Sequence, residues 1–116
     1  MILILADDFT GAAEIAGIAL RFNLSAEIQH KRFIPTEKEI LVIDTDSRSI
    51  TPDKAGTRIS EIIDLIPKTR IDWLYKKTDS VLRGNVLIEL EQILKKMNKK
   101  AALLIPENPS LGRTIA

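Results

Sequence analysis

No cysteine occurs in the 116 residues. That excludes disulfides, thiolate metal sites and a cysteine nucleophile, and it suits a reducing compartment. Histidine occurs once, as His30, so a Ser-His-Asp triad or a multi-histidine metal site would rest on that single ring. It follows a predicted strand and reads as a solvated surface residue. Charge of one sign is lacking too, since 17 basic and 16 acidic residues leave a formal net charge of +1. Binding to nucleic acid or to an anionic membrane surface rests on excess positive charge, so neither partner is expected. Asp7 and Asp8 break the apolar start early and no basic segment precedes it. This argues against a signal peptide or membrane span and for a cytoplasmic location. Gly11, Gly17, Gly56, Gly84 and Gly112 fit neither GxGxxG nor GxxxxGK[ST], so the chain carries no recognisable nucleotide-phosphate loop.

What is present suits one compact domain: 45% apolar residues and 28% charged residues of balanced sign. Ile2 to Ala6 is an apolar run of strand length. Ala12, Ile15, Ala16, Ala19 and Leu20 then recur at helical spacing, with Thr10 placed to cap the start. Ser25 to Gln29 reads as a weaker strand, Lys31 to Glu39 as a polar connection, and Ile40 to Ile43 as the next strand. Thr51 followed by Pro52 signals a helix start. Ala55, Ile59, Ile62, Ile63 and Ile66 follow on one face, and Pro67 ends the run. Asp72 to Tyr75 suits a further strand. Leu87, Leu90, Ile93, Leu94 and Met97 define a third amphipathic helix from Val86, and Ala101 to Ile105 reads as a last strand. Lys95, Lys96, Lys99 and Lys100 gather at that third helix's C-terminus, where cations offset the helix dipole. Such alternation predicts a three-layer α/β fold: a parallel sheet with helices on both faces, in Rossmann-like or flavodoxin-like order.

Polar residues cluster after four of the apolar runs. Asp7, Asp8 and Thr10 follow the first. Asp44, Asp46, Ser47 and Arg48 follow the run ending at Ile43, and Lys76, Lys77, Asp79, Ser80 and Arg83 follow Tyr75. Glu107, Asn108 and Arg113 follow Ile105, in a loop predicted from Pro106 to Arg113. Any one cluster could be ordinary turn and cap chemistry. In a parallel sheet, however, the C-terminal ends of the strands share one edge, where ligands bind. Arginine and lysine there can clamp a carboxylate or phosphate, while aspartates accept hydrogen bonds from hydroxyls. A small polyhydroxy acid would use both kinds.

The same loops carry ADDFTGAAE at 6–14, VIDTDSRS at 42–49, KKTDSVLRGNV at 76–86 and P-x-x-P-x-L-G-R-T at 106–114. In order and spacing these stretches resemble the four-carbon acid sugar kinase family, whose members phosphorylate threonate, erythronate or related tetronates with ATP. The resemblance implies that residues 1–116 are a truncated sheet, roughly the first half of an N-terminal sugar-acid-binding domain. It also implies that the C-terminal nucleotide-binding domain, with ATP and Mg²⁺, lies outside the chain, which alone would not turn over. Carried across residue by residue, it puts substrate contacts on Asp8, Asp46, Ser47, Arg48, Lys77, Asp79, Ser80 and Arg83. Arg48, Lys77 and Arg83 would hold the sugar carboxylate or neutralise phosphate charge. Asp8 or Asp79 would orient the acceptor hydroxyl and take its proton. Glu14 stands where many relatives have aspartate, and Val81 where threonine is usual; both look tolerable.

Two other classes fit part of the pattern. A response-regulator receiver domain also has paired acids after its first strand and an aspartate after its third, matching Asp7, Asp8 and Asp44 or Asp46. It needs a lysine after its last strand, where Ile105-Pro106-Glu107 has none. A non-catalytic sugar-acid-binding module would share the polar edge without the chemistry. An open sheet edge or uncovered apolar face predicts self-association, or a partner chain supplying the nucleotide domain.

Overall fold

Side-chain alternation along the strands sets the layers of the computed structural model, which describes residues 1–106. In β1 (Ile2–Ala6) and β3 (Ile40–Asp44), Leu3, Leu5, Leu41 and Ile43 point to one face of the sheet. There they pack on Ile59, Ile62 and Ile63 of α2 (Pro52–Leu65) and Ile93 of α3 (Val86–Lys96). Ile4, Ala6, Ile40 and Val42 point the other way, onto Ala12, Ala16 and Ala19 of α1 (Phe9–Arg21). Small side chains on that helix let it lie close to the sheet. Full burial of each large aliphatic side chain stabilises the fold by about 1.5–3 kcal/mol.

Among the described residues the sheet has four parallel strands in the order β2-β3-β1-β4, with β2 at Ala26–His30 and β4 at Trp73–Lys77. From β1 the chain crosses one face through α1 to reach β2. From β3 it crosses the opposite face through α2, past β1, to β4. The connections leaving β1 and β3 therefore part to opposite faces and open a crevice between those two C-terminal ends, as expected at a topological switch point.

The predicted elements form with several corrections. Helix α1 is capped two residues earlier than expected: Asp8, not Thr10, is the N-cap, and its Oδ1 accepts from the Gly11 N–H at 2.9 Å. Thr51 and Pro52 do open α2. Leu20 and Leu87, read as core-facing, are 65% and 71% exposed. Besides Ile93, the buried residue on α3 is Glu89, which is 0% exposed. Ala101–Ile105 joins no ladder, and Leu103 is 86% exposed. An apolar run becomes a strand only where a neighbour accepts its backbone hydrogen bonds. No helix among the described residues is long and apolar enough to cross a membrane.

Candidate functional site

Three loops meet at the crevice. The first begins where β1 ends, at Asp7. Its carbonyl accepts from the backbone N–H groups of Ser47 at 3.0 Å and Arg48 at 3.3 Å, joining the first loop to the second. Its carboxylate is 2% exposed and receives two bonds from the Arg48 guanidinium, NH2 to Oδ1 at 3.0 Å and Nε to Oδ2 at 3.3 Å. Arg48 NH1 also lies 3.3 Å from Oδ2 of Asp8, so one guanidinium spans both acids. The Asp7 hydrogen bonds push Arg48 further toward its charged form, against the opposing effect of burial; the charges of Asp7, Asp8 and Asp79 add to the push.

The third loop follows β4. Arg83 donates to both oxygens of Asp79, Nε at 2.9 Å and NH2 at 2.8 Å. That side-chain bond holds the Asp79 carboxyl far below the usual carboxylate range; burial opposes it, and the N–H groups of Arg83 and Val81 reinforce it. Asp8 and Asp7 in turn help to raise Arg83, after the larger effect of Asp79. Lys77, the last residue of β4, points to the α1 face. Its ammonium donates to the Thr78 carbonyl at 3.0 Å and lies 3.6 Å from Glu14.

Glycine is required at Gly84, which has φ +92°. A Cβ there would stand 2.6 Å from Oδ2 of Asp7 and 3.2 Å from Cγ of Arg48. The third loop thus lies directly against the Asp7–Arg48 pair, and Asn85 follows it by donating to the carbonyls of Ser47 and Ile50, each at 2.9 Å.

Of the residues singled out from sequence, Asp8, Arg48, Lys77, Asp79 and Arg83 are therefore drawn to one place. Ser80 is exposed in the same loop. Asp46 points elsewhere: at φ +47° it is paired with Lys31 at 2.6 Å, toward the β2 end of the sheet. Hydrogen bonding to Lys31 lowers its pKa. Ser47 is fully buried, with its hydroxyl donating to Glu89. His30 is exposed as expected, but its ring lies 2.9 Å from the buried carboxylate of Asp44. Glu107, Asn108 and Arg113 lie outside the described residues.

Sequence reasoning missed Asp7 as the carboxylate behind Arg48 and missed Glu89, and it put Lys76 in the polar cluster after Tyr75. Lys76 falls inside β4 rather than after it, and strand alternation turns it inward. A glutamate two residues after Leu87 on the third helix was the available signal. Among the described residues no three His, Cys, Asp or Glu side chains stand close enough to hold a metal ion, and the site acids are each engaged by an arginine.

Residues 2–116 match the family model described as the sugar-binding N-terminal domain. The D-threonate kinase of Salmonella typhimurium is 29% identical over 97% of this chain and 27% of its own length. The D-threonate kinase of Cupriavidus necator is 33% identical over 98% of this chain and 28% of its own. The D-erythronate kinase of Heliobacterium modesticaldum is 28% identical over 97% and 27%. The chain thus spans a little over a quarter of the length of these relatives. A crystal structure of a domain of unknown function from Bordetella bronchiseptica, a domain-swapped dimer with bound citrate, superposes with a TM-score of 0.73. It is 25% identical, over 82% of this chain and 25% of that one.

Proposed function

The chain belongs to the family of sugar-binding N-terminal domains, and from that membership we propose that it forms the sugar-acid-binding part of an ATP-dependent kinase for a four-carbon acid sugar of the threonate or erythronate type. One observation carries the reading: Arg48, Lys77 and Arg83, from two loops and a strand end, stand among Asp8 and Asp79 at the switch-point crevice. A tetronate offers one carboxylate and several hydroxyls, the chemistry this mixture suits.

The contacts support a division of roles. Arg83 is 65% exposed and Lys77 partly so, and these two meet the sugar carboxylate. Arg48 is already committed to Asp7 and Asp8 and acts mainly by holding Asp8 in place. Asp79 is a weak proton acceptor because Arg83 stabilises its ionised form. Asp8 meets one arginine contact at 3.3 Å where Asp79 meets two at 2.9 and 2.8 Å, so the role of orienting the acceptor hydroxyl and taking its proton is assigned to Asp8. The glycines of this chain match no phosphate-loop pattern, and the family resemblance puts ATP and Mg²⁺ on a nucleotide-binding domain. In this reading another part of the kinase binds them.

Calorimetric titration with D-threonate and D-erythronate, against the matching uncharged tetritols, tests the proposal. The acids are expected to bind and the polyols not to. An absence of heat with every acid would overturn it.

Assembly with a second copy is part of the same reading. Trp73, Tyr75 and Phe22 leave apolar surface uncovered beside α1, being 73%, 47% and 72% exposed. The domain-swapped dimer of the solved relative supports self-association.

A further inference from the structure

A charged pair lies buried beneath the site. Lys76 and Glu89 have side chains 6% and 0% exposed, and Nζ of Lys76 stands 2.7 Å from Oε2 of Glu89. The contact is an ion pair, and among the described residues that oxygen accepts no hydrogen bond. The pair occupies an apolar layer. In sheet register Lys76 is level with Leu5, which is level with Ile43, and both neighbours are 0% exposed. An aliphatic residue at position 76 would continue that row. Replacing a buried ion pair by well-packed apolar side chains is commonly neutral or stabilising, so stability alone does not account for these two charges.

Their contacts point upward, to the loop that carries Arg48. The other oxygen of Glu89 accepts from the Ser47 hydroxyl. Ser47 Oγ is 2.8 Å from Thr45 Oγ1, which donates to the Ala6 carbonyl at 2.9 Å. Lys76 Nζ also reaches the Lys77 carbonyl at 3.3 Å. A continuous polar chain therefore runs from β4 through α3 and the 45–48 loop to the end of β1. It ties together the C-terminal ends of β1, β3 and β4. Glu89 sits in the first turn of α3, where the helix dipole favours its charge.

We propose that Glu89 is a positioning residue whose buried charge Lys76 balances: Glu89 fixes Ser47 so that Arg48, the next residue, meets Asp7 and Asp8. Neither touches the ligand. The proposal shares its site with the sugar-acid reading, but its first test needs no ligand.

Two double variants separate positioning from packing. Lys76→Met with Glu89→Gln removes both charges and keeps an acceptor for Ser47. Lys76→Met with Glu89→Leu removes the acceptor as well. In the free protein, amide hydrogen exchange is read at Ser47 and Arg48, whose N–H groups bond the Asp7 carbonyl, and at Leu41 and Val42 in the core of β3. The Leu double variant is expected to lose tenfold or more protection at 47 and 48, with less than threefold change at 41 and 42. The Gln double variant should stay within threefold of the parent at all four. Should the Leu variant fail to fold, Ser47→Ala cuts the same link and must show the same loss at Arg48. Unchanged protection at Arg48 in whichever of these two variants folds overturns the proposal. So does equal loss at the core amides. With D-threonate, the Leu variant is expected to bind at least tenfold more weakly than the Gln variant. If the parent itself binds no sugar acid, the functional reading fails while hydrogen exchange still decides this one.

Discussion

Asp7 and Arg48, 41 positions apart in sequence, form a two-point ion pair across the C-terminal ends of β1 and β3. The pair is asymmetric. The Asp7 side chain is 2% exposed and that of Arg48 is 25% exposed. Arg48 also has Asp8 as a second partner, whereas Asp7 relies on Arg48 alone among the described ion pairs.

Removing the arginine should therefore harm the fold more than removing the aspartate. Arg48→Met strands a buried carboxylate and is expected to cost about 3 kcal/mol, at the lower end for breaking a buried pair because Arg48 is partly solvated. Asp7→Asn leaves Arg48 with Asp8 and water and should cost about 1–2 kcal/mol, near the value of one charge-assisted hydrogen bond. Urea denaturation of both variants at neutral pH checks the order. A larger loss for Asp7→Asn would contradict the asymmetry.

Gly84 presses on the same pair. Alanine there meets two obstacles, a backbone at φ +92° and a Cβ 2.6 Å from Oδ2 of Asp7. The expected cost of Gly84→Ala is about 1–3 kcal/mol, the range for a strained backbone residue. The carboxylate must also shift, so sugar-acid affinity should fall in the same variant. Gly17→Ala, where nothing lies within 4 Å of the added Cβ, is the control and should not destabilise. A Gly84→Ala protein as stable as the parent would show that the loop can move away.

How much of this was legible beforehand follows from what is local. Strands β1 and β3 and helix α2 could be read because apolar runs, Thr51-Pro52 and Pro67 act within a few residues of themselves. The gathering of Asp8, Arg48, Lys77, Asp79 and Arg83 was legible as well, since parallel strands put their C-terminal ends on one edge. Contacts made across elements were not. Glu89 takes a core position that periodicity assigned to Leu87, and the Lys76 charge and the Ser47 hydroxyl, both on other elements, make that burial tolerable. Ser47 and Asp46 lie next to each other in a motif yet point to different places, because the chain turns through φ +47° at Asp46. Ala101–Ile105 has the composition of a strand, but composition does not supply a ladder partner.

The uncovered sheet face beside α1 bears on assembly. Trp73 and Tyr75 alternate with inward-facing residues of β4 and lie against Ile2, Ile4 and Ile15, with no helix over them among the described residues. Self-association should therefore depend on concentration, and Trp73→Gln combined with Phe22→Gln should weaken it at least tenfold in sedimentation velocity. These positions lie away from the crevice contacts, so sugar-acid binding should be retained. A parent protein that stays monomeric at millimolar concentration would rule the interface out.

Asp79 supplies the pH signature. Its carboxyl is held below its ordinary value by Arg83, so its folded-state pKa lies under the unfolded one of about 3.9. A lowered folded-state pKa means that the ionised form stabilises the fold at pH values above the unfolded pKa. That contribution must disappear as pH falls through the ordinary aspartate range toward the folded value. Asp79→Asn removes it at every pH. The stability gap between parent and variant is thus expected to be open at pH 7, to narrow below about pH 4 and to be smallest near pH 2. Glu27 and Asp46 are lowered too, by their bonds to Gln29 and Lys31, so the variant should keep a shallower acid slope rather than lose it. Thermal melts at several pH values measure both curves. A gap that stays constant down to pH 2 would mean that Arg83 does not hold Asp79 in solution, and Asp79 would then return as a candidate for the proton-accepting role assigned to Asp8.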